Sequence, residues 1–344
     1  MGLGVGVIGC GRIGDIHATT LAYRIPDADL IAVTDIFEEA GARVVANTGG
    51  SAKYYKDWKE MVADPEVEAV VIGSPTQFHA EQITECAKLG KHIFCEKPIS
   101  FDLNTIEQCM ADVDASGVKL MLGFQRRFDS NFRTIRQKVE AGEVGDVRTF
   151  HITSRDPSPP PIGYLKQSGG VFLDMSSHDI DMARFLVGNE GDEIEEVYAV
   201  AKACEPETAE ADDFDTTTIM LKFKSGIFGT IENSRTCAFG YDQRVEVFGE
   251  KGSVSGLNRS GANVATWNKE GVSEGLPFSF FMDRYQEAYV NIMRGFVQYA
   301  TSNDPNVVKD IRPAMAYEGK ITVLVGMAAR KSVREGRPVK ISEL

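Results

Sequence analysis

The chain has 344 residues, a formal net charge of −13 and 43% apolar residues. This length exceeds the usual size of one hydrophobic core, so we expect two domains, each with enough apolar residues for its own core. The acidic charge and the lack of a basic run argue against nucleic acid or an anionic membrane surface as the main partner. A small neutral or cofactor-sized ligand fits this composition better.

Other features of the sequence favour a soluble, unsecreted protein. No apolar run approaches the roughly 20 residues that cross a bilayer, and the first residues predict a strand rather than a leader peptide. The six cysteines are scattered, with no Cys-x-x-Cys pair and no companion histidine at zinc-ligand spacing. We therefore expect reduced cysteines, a cytoplasmic location and no metal site.

Residues 1–123 alternate short apolar runs with amphipathic stretches, which is the pattern of a parallel sheet wrapped by helices. The predicted strands are 5–8, 30–33, 69–72, 92–95 and 120–122. The predicted helices are roughly 13–24, 38–48, 80–89 and 103–114, and Gly90 is placed to end a helix. We expect a doubly wound α/β domain of the Rossmann type here, with a binding site for a dinucleotide.

Residues 124–344 show a different sequence pattern, because their predicted strands alternate apolar and polar residues. Ile219, Leu221 and Phe223 fall on one face of a strand, and Ser225 and Gly226 form the turn into the next one. We predict an antiparallel meander continued by strands 244–248 and 252–256, with one face on helices and the other facing solvent or another subunit. Long helices are predicted near 281–301 and 313–334. The expected fold is an α+β domain with a large, mostly antiparallel open sheet.

The sequence GCGRIG directly follows the first predicted strand and opens the first predicted helix. Gly9, Gly11 and Gly14 suit a tight turn, close approach of the backbone to a pyrophosphate, and close packing of helix on strand. Asp35 ends the second strand, where a carboxylate can accept hydrogen bonds from the adenosine ribose. Such a carboxylate repels a 2′-phosphate, so NAD is preferred to NADP. Arg12 can also hold a phosphate, which leaves NADP open.

A second group of residues has the chemistry of proton transfer. Lys97 follows a strand at the sheet edge where ligands bind, and lysine can polarise a hydroxyl or a carbonyl. Asp174 and His178 share a face if a helix begins near Asp174, with Asp181 one turn beyond. An imidazole suits removal of a hydroxyl proton at neutral pH, and a carboxylate can orient it. Taken alone, Lys97 reads as a surface charge and Asp174 as a helix N-cap.

Further motifs are SPTQFHAE at 74–81, EKPIS at 96–100, GFQRRFD at 123–129, RDPSPPP at 155–161, SGGVFLDMSSHDIDMARFL at 168–186 and GYDQRVEVFG at 240–249. With the glycine motif and Asp35, they make the chain resemble the glucose–fructose oxidoreductase, inositol dehydrogenase and rhizopine catabolism (Gfo/Idh/MocA) family over essentially its whole length. The last four motifs resemble the inositol branch, and in particular the myo-inositol 2-dehydrogenases.

The resemblance implies a catalytic set of Lys97, Asp174 and His178, with His178 as the base and Lys97 holding the reacting oxygen. The implied substrate-binding residues are Lys97, Arg127, Asp174, His178, Asp181 and Tyr241. The implied cofactor-binding residues are Gly9, Gly11, Arg12, Ile13, Gly14, Asp35, Ser74, Thr76, His79 and Glu96. Glu96 and Pro98 would shape the lysine loop. Family members often have an unusual lysine–proline peptide there, so the bond before Pro98 can be cis.

The implied activity is transfer of a hydride to NAD⁺ from a CH–OH group of a cyclic polyol, which we expect to be myo-inositol. The polyol would bind between an NAD-binding domain at 1–123 and a substrate-binding and oligomerisation domain at 124–344. A homo-oligomer, a tetramer or a dimer, would assemble through the C-terminal sheet.

Several alternatives stay open from the sequence. Residues 153–155 lack a histidine that some inositol dehydrogenases carry, so another sugar or scyllo-inositol is an alternative substrate, with NAD or NADP. An alternative of another class is a sensor or repressor that binds the dinucleotide without chemistry, although such proteins tend to lose the lysine and histidine. The proline-dense segment 156–161 is either a rigid surface connector or a lip that faces the substrate.

Overall fold

The computed structural model describes residues 2–188, 191–262 and 264–344. The chain divides into two compact units, one of Met1–Phe128 with Glu287–Ile321 and one of Asp129–Gln286 with Thr322–Leu344. The continuous division after residue 123 remains a prediction about domains. The structural units differ from it because the late segment Glu287–Ile321 packs with the N-terminal residues.

The strands of the described chain are β1 (Leu3–Ile8), β2 (Ala28–Thr34), β3 (Lys53–Tyr55), β4 (Ala69–Ile72), β5 (His92–Cys95), β6 (Leu120–Leu122), β7 (Val147–Arg155), β8 (Ile194–Lys202), β9 (Thr216–Phe223), β10 (Phe228–Ser234), β11 (Asp242–Gly249), β12 (Gly252–Gly256), β13 (Ala265–Asn268), β14 (Gly271–Glu274) and β15 (Val339–Lys340).

The helices of the described chain are α1 (Arg12–Arg24), α2 (Glu38–Asn47), α3 (Trp58–Ala63), α4 (His79–Lys88), α5 (Leu103–Ser116), α6 (Ser130–Glu140), α7 (Ile162–Leu165), α8 (Val171–Asp174), α9 (Ser176–Val187), α10 (Pro206–Glu210), α11 (Phe281–Arg284), α12 (Gln286–Thr301), α13 (Pro305–Ile311) and α14 (Ala316–Glu335). Short 3₁₀ turns lie at Thr76–Phe78, Gln125–Phe128 and Ile341–Glu343. No helix among the described residues is both long enough and apolar enough to cross a membrane.

The first unit contains a parallel six-stranded sheet in the order β3-β2-β1-β4-β5-β6. This confirms the predicted doubly wound α/β fold. All four residues of β4 are buried, as expected for a strand with helices on both faces. Gly90 ends α4 with a φ of +70°, as predicted. Strand β3 escaped prediction because its sequence, Lys-Tyr-Tyr, is too short and too polar to form an apolar run.

The core of the first unit joins this sheet to helices from both ends of its sequence. Phe94 of β5 and Phe296 of α12 lie with ring centroids 5.7 Å apart, inside one cluster of buried apolar side chains. The single helix predicted at 281–301 is wrong at its start, because the helix is interrupted at Tyr285, between α11 and α12. The apolar periodicity of α12 is what brings it onto the sheet.

The second unit contains a seven-stranded sheet in the order β12-β11-β7-β10-β9-β8-β15. Its pairs are antiparallel except β7 with β10, which are parallel, so the prediction of a mostly antiparallel sheet is confirmed. The predicted continuous meander is wrong at one point. Strand β11 pairs with β7 rather than with β10, because β7 comes from earlier in the chain and occupies the edge of β10. Helix α9 contacts β7 and β10.

Candidate active site

The carboxyl ends of the parallel strands in the first unit lie in one row. The Cα pairing aligns the last residues of neighbouring strands, which are Thr34, Ile8, Ile72, Cys95 and Leu122. The residues that follow these strands therefore share one edge of the sheet, which is where open α/β sheets bind ligands. The glycine motif, Asp35, the turn at 74–76 and the lysine loop all start at this edge.

The glycine turn has the geometry that a dinucleotide requires. Gly9 has a φ of +91°, and a Cβ on it would lie 2.8 Å from the backbone of Gly73 and Ser74. A Cβ on Gly14 would lie only 1.8 Å from the carbonyl oxygen of Gly9, so this glycine permits α1 to pack against the turn. A Cβ on Gly11 would meet no described atom within 4 Å. Space for a ligand is thus left beside the first amide groups of α1.

Arg12 and Ile13 form the first turn of α1, directly after Gly11. Arg12 is exposed and Ile13 is partly buried. Their proposed contacts with the cofactor remain predictions.

Asp35 directly follows β2, and backbone amides hold both of its oxygens. The amide of Cys10 donates to Oδ2 at 2.7 Å, and the amide of Phe37 donates to Oδ1 at 2.8 Å. The carboxylate therefore fixes the glycine turn against the loop that leads into α2. Burial, and then the charge of Asp35, raise the pKa of the Cys10 thiol to about 12, so this thiol is neutral. Arg43 donates to the Cys10 carbonyl at 2.6 Å.

His79 connects the turn at Ser74 to the loop at Pro98. Its Nε2 lies 2.7 Å from the Ser74 carbonyl oxygen and its Nδ1 lies 2.7 Å from the Pro98 carbonyl oxygen. The ring is only 1% exposed, and burial lowers its pKa, which favours the neutral imidazole. The ring therefore connects the two loops. Its contact with the cofactor remains a prediction.

The Ser74 hydroxyl donates to Gln82 Oε1 at 2.6 Å, which ties the turn at 74–76 to α4. Thr76 begins the 3₁₀ turn that leads into α4 and is partly buried. The position of both residues after β4 is compatible with cofactor contacts, which remain predictions.

The lysine loop begins at Glu96, one residue beyond β5, and its Lys97–Pro98 peptide is cis, which is the form that the resemblance allows. Oε1 of Glu96 lies 2.7 Å from Nε2 of the fully buried His17. A Cβ on Gly123 would lie 2.5 Å from Oε2 of Glu96, so glycine leaves room for this carboxylate. The carboxyl group of Glu96 is thus directed towards His17 and Gly123, and its contact with a cofactor remains a prediction. Lys97 itself is partly buried.

Arg127 also belongs to the first unit, in the 3₁₀ turn that follows β6. It is 7% exposed, and its Nη1 donates to the carbonyl oxygen of Arg312 at 3.5 Å. Its role as a substrate contact remains a prediction.

Asp174 is the last residue of the one-turn helix α8 in the second unit. The condition of a helix that begins near Asp174 is met only approximately, because α9 starts at Ser176, after an interruption of the helix at Met175. The side chain of Asp174 does not act as the N-cap of α9. Instead, the Tyr164 hydroxyl donates to Oδ1 at 2.8 Å and Arg235 Nη2 donates to Oδ2 at 3.2 Å.

His178 and Asp181 lie on α9, one turn apart. His178 is in the first turn and partly buried, whereas Asp181 is 1% exposed. Tyr241 precedes β11, is 5% exposed, and has its ring edge-on to Tyr285 at 5.9 Å between centroids. Their roles as base and substrate contacts remain predictions.

A buried polar network fixes α9 to the sheet of the second unit. Nδ2 of Asn233 donates to Oδ2 of Asp179 at 2.8 Å, and the Ser176 hydroxyl donates to Oδ1 of Asn233 at 2.5 Å. All three side chains are fully buried. Such a network costs free energy unless its members are bonded, so it holds α9 in one position. The helix that carries His178 is therefore anchored from β10.

Two family models match successive parts of the chain. Residues 3–124 match a model described as "Oxidoreductase family, NAD-binding Rossmann fold", and residues 132–255 match "GFO/IDH/MocA C-terminal domain". The chain is 42% identical to a Thermotoga maritima protein named myo-inositol 2-dehydrogenase, covering 99% of both chains. It is also 39% identical to a Rhizobium meliloti protein named inositol 2-dehydrogenase, covering 98% of both chains. The chain belongs to the GFO/IDH/MocA oxidoreductase family.

The chain is also similar over its whole length to a solved dehydrogenase structure. Scyllo-inositol dehydrogenase from Lactobacillus casei, with bound NAD(H) and scyllo-inositol, is 29% identical and has a TM-score of 0.87, covering 99% of this chain and 100% of that one. The chain is thus an NAD-binding oxidoreductase. The close-packed Gly9 and Gly14, the open space at Gly11 and the carboxylate of Asp35 fit a bound NAD.

Three side chains of this GFO/IDH/MocA member were missed as parts of the candidate site. Arg235 and Tyr164 hold Asp174, and His17 holds Glu96. Arg235 and Tyr164 lie 61 and 10 residues from Asp174 in the sequence, outside any local motif. His17 gave a weak signal, because it falls on the buried face of a helix that opens with the glycine motif.

Proposed function

We propose that this chain oxidises a hydroxyl of a cyclic polyol, myo-inositol, with NAD⁺ as the acceptor. The observation that carries the proposal is its 42% identity, over 99% of both chains, to a protein named myo-inositol 2-dehydrogenase. The presence of Lys97, Asp174 and His178 in the family motifs supports catalysis rather than dinucleotide binding alone.

In the proposed reaction the Lys97 ammonium group donates a hydrogen bond to the reacting oxygen and stabilises the negative charge that develops on it. An imidazole nitrogen of His178 accepts the hydroxyl proton, and the Asp174 carboxylate orients the imidazole. NAD⁺, when bound, would supply the acceptor for the hydride of the carbinol carbon. We assign contacts with the other hydroxyls of the polyol to Arg127, Asp181 and Tyr241.

A second candidate substrate is scyllo-inositol. The Lactobacillus casei enzyme with bound scyllo-inositol shares the whole fold with this chain at 29% identity. The two inositols differ only in the orientation of a hydroxyl, so selection between them depends on a few hydrogen bonds.

The test is a panel of inositols, other polyols and aldoses, each assayed with NAD⁺ and with NADP⁺ by the absorbance of the reduced nicotinamide. We expect the highest kcat/KM with myo-inositol and NAD⁺. A higher value with scyllo-inositol would select the second candidate, and activity only with an aldose would reject both. Tight NAD binding without reduction by any compound would indicate the non-catalytic sensor.

We also propose that the chain forms a homo-oligomer, a tetramer or a dimer, through the exposed face of the second sheet. Large apolar side chains on this face are 39% to 52% exposed: Tyr198, Val200, Met220, Phe228 and Phe248. Apolar side chains clustered in this way favour association. Sedimentation of the wild type should show an oligomer that Met220→Lys dissociates, and a monomeric wild type would reject the proposal.

A reducing, cytoplasmic location is proposed as well, with support from the six free cysteines.

A further inference from the structure

Arg235 is a charged side chain enclosed in the second unit. It directly follows β10, is 2% exposed, and its amide donates to the Asp215 carbonyl oxygen at 2.8 Å. Its Nη2 lies 3.2 Å from Oδ2 of Asp174 and 3.9 Å from Oδ2 of Asp213. A buried guanidinium needs such anionic neighbours, because its desolvation is otherwise too costly. With so little exposure, Arg235 acts on the reaction only through the groups that it holds.

Tyr164 holds the other oxygen of Asp174. It lies on the one-turn helix α7, just after the proline-dense segment, and its hydroxyl donates to Oδ1 at 2.8 Å. Tyr164 is 50% exposed, so its phenol is only partly desolvated. This partial desolvation, and then the nearby Asp174 carboxylate, raise the pKa of Tyr164. The hydroxyl therefore stays protonated and remains a donor across the neutral pH range.

Charged groups from several elements lie near Arg235 and Tyr164. Asp213 accepts the Val171 amide at the start of α8, at 3.0 and 3.1 Å, and Arg330 of α14 donates to the Gly169 carbonyl oxygen. Asp156 in the proline-dense segment interacts electrostatically with Tyr164, and His178 lies four residues after Asp174, in the first turn of α9. Arg235 thus lies within 4 Å of the carboxylates of both Asp174 and Asp213, and Asp213 also interacts electrostatically with Arg330.

We propose that Arg235 and Tyr164 are positioning residues that fix both oxygens of Asp174 and keep its carboxylate ionised while His178 takes the substrate proton. Hydrogen bonds from a cation and a hydroxyl favour the charged form of a carboxylate, and two bonds from different directions fix its plane. Without Arg235, the carboxylates of Asp174 and Asp213 would lie near each other with no guanidinium group between them to offset their negative charges. Protonation of Asp174 would then set in at a higher pH. This inference rests on the proposed function, in which Asp174 orients the base.

The experiment compares Arg235→Gln, Arg235→Lys and Tyr164→Phe with the wild type. The readout is kcat and kcat/KM against pH, with the best polyol of the panel, together with the NAD dissociation constant. We expect Arg235→Gln to lower kcat at pH 7 about tenfold or more and to move the acidic limb of the profile up by about one pH unit. Part of the activity should return at higher pH. Arg235→Lys keeps the charge and should keep the acidic limb near that of the wild type.

Tyr164→Phe removes one neutral donor and should move the acidic limb in the same direction by a smaller amount. Matched controls are Tyr23→Phe, which removes a hydroxyl bonded to the Asn47 carbonyl at the surface, and Arg337→Lys in an exposed ion pair with Glu343. Both controls should leave the profile unchanged. The proposal would be overturned if the acidic limb of Arg235→Gln and of Tyr164→Phe lay at the same pH as in the wild type, whatever the size of kcat.

A second measurement does not depend on activity. Aspartate labelled with ¹³C at the carboxyl carbon, assigned with Asp174→Asn, reports ionisation of Asp174 directly by NMR. The Asp174 signal should titrate at a higher pH in Tyr164→Phe than in the wild type, and an unchanged midpoint would contradict the proposal. This arm uses a mild variant, so it decides the question if Arg235→Gln fails to fold. It also separates failure of this inference from failure of the proposed function, which the substrate panel measures.

Discussion

Replacing Asp35 tests the link between the structure of the glycine turn and the choice of cofactor. Its carboxylate accepts two backbone amides, at 2.7 and 2.8 Å, and is only partly buried. Hydrogen bonds to a charged group contribute about 1.5–3 kcal/mol each, and water replaces part of this at an accessible site. We therefore expect Asp35→Ala to lower the free energy of unfolding by about 1–2 kcal/mol. Asp35→Asn keeps one acceptor oxygen and should lose about half as much.

The effect on cofactor choice follows from charge. Two unit charges about 6 Å apart interact by about 3 kcal/mol at an effective dielectric constant of about 20, and salt screens part of this. Loss of the carboxylate should therefore raise the kcat/KM ratio of NADP⁺ to NAD⁺ by about tenfold to a hundredfold, in Asp35→Asn as well as in Asp35→Ala. The two variants thus separate the charge from the support of the turn, because they differ in stability but share the change in preference.

The assay measures kcat/KM for both cofactors at saturating polyol, with urea unfolding of the same samples. Asp29→Asn is the matched control, since its carboxylate also accepts a backbone amide, from Gly2 at 2.9 Å, at an exposed site near the start of β2. This control should leave the cofactor ratio unchanged. A ratio in Asp35→Asn that matches the wild type would refute the assignment of Asp35 to the ribose.

Four further substitutions test the proposed catalytic residues, the glycine turn and the buried His79. Lys97→Ala and His178→Ala should each lower kcat by about a hundredfold or more, because acid–base groups typically contribute a factor of 10²–10⁴ to the rate. NAD affinity, measured by fluorescence titration, should stay nearly intact. An unchanged kcat in either variant would remove that residue from the mechanism. Gly14→Ala places a Cβ 1.8 Å from the Gly9 carbonyl oxygen, so it should lower the free energy of unfolding by about 3 kcal/mol and weaken NAD binding; wild-type values in urea unfolding and NAD titration would contradict this steric argument. His79 has a lowered pKa in the folded chain, so the unfolded chain binds more protons below about pH 6.5, and stability should fall as the pH drops through this range, by at most about 1.4 kcal/mol per pH unit. In urea unfolding at several pH values, the stability of His79→Gln should fall less steeply with decreasing pH than that of the wild type. Equal slopes of stability against pH would show that His79 is not the group responsible.

The fold of the first unit could be predicted from the sequence because its signals are local. Fully buried parallel strands read as short apolar runs, and those at 69–72 and 92–95 match β4 and β5 at both ends. The second sheet was harder, since the alternation of residues in β9 and β10 identifies each strand and the hairpin but not the partner on the other side. The parallel pairing of β7 with β10 is a long-range event that the pattern does not encode.

The candidate site divides in the same way. The glycines, Asp35 and Lys97 follow strand ends, and strand ends are visible in the sequence. The partners of Asp174 were not visible, because Arg235 and Tyr164 reach it through the sheet pairing and the one-turn helix α7. The break at Met175 was also missed, since the apolar pattern of 171–187 continues through it and gives no stop signal.

In the proposed reaction, this chain transfers a hydride from a carbinol carbon of a cyclic polyol to NAD⁺. Its most direct test is incubation of the purified protein with NAD⁺ and myo-inositol deuterated at the carbinol carbons, with mass spectrometry of the nicotinamide product. We expect deuterated NADH with the wild type and almost none with His178→Ala. Unlabelled NADH, or no NADH with any inositol while NAD binds, would contradict it.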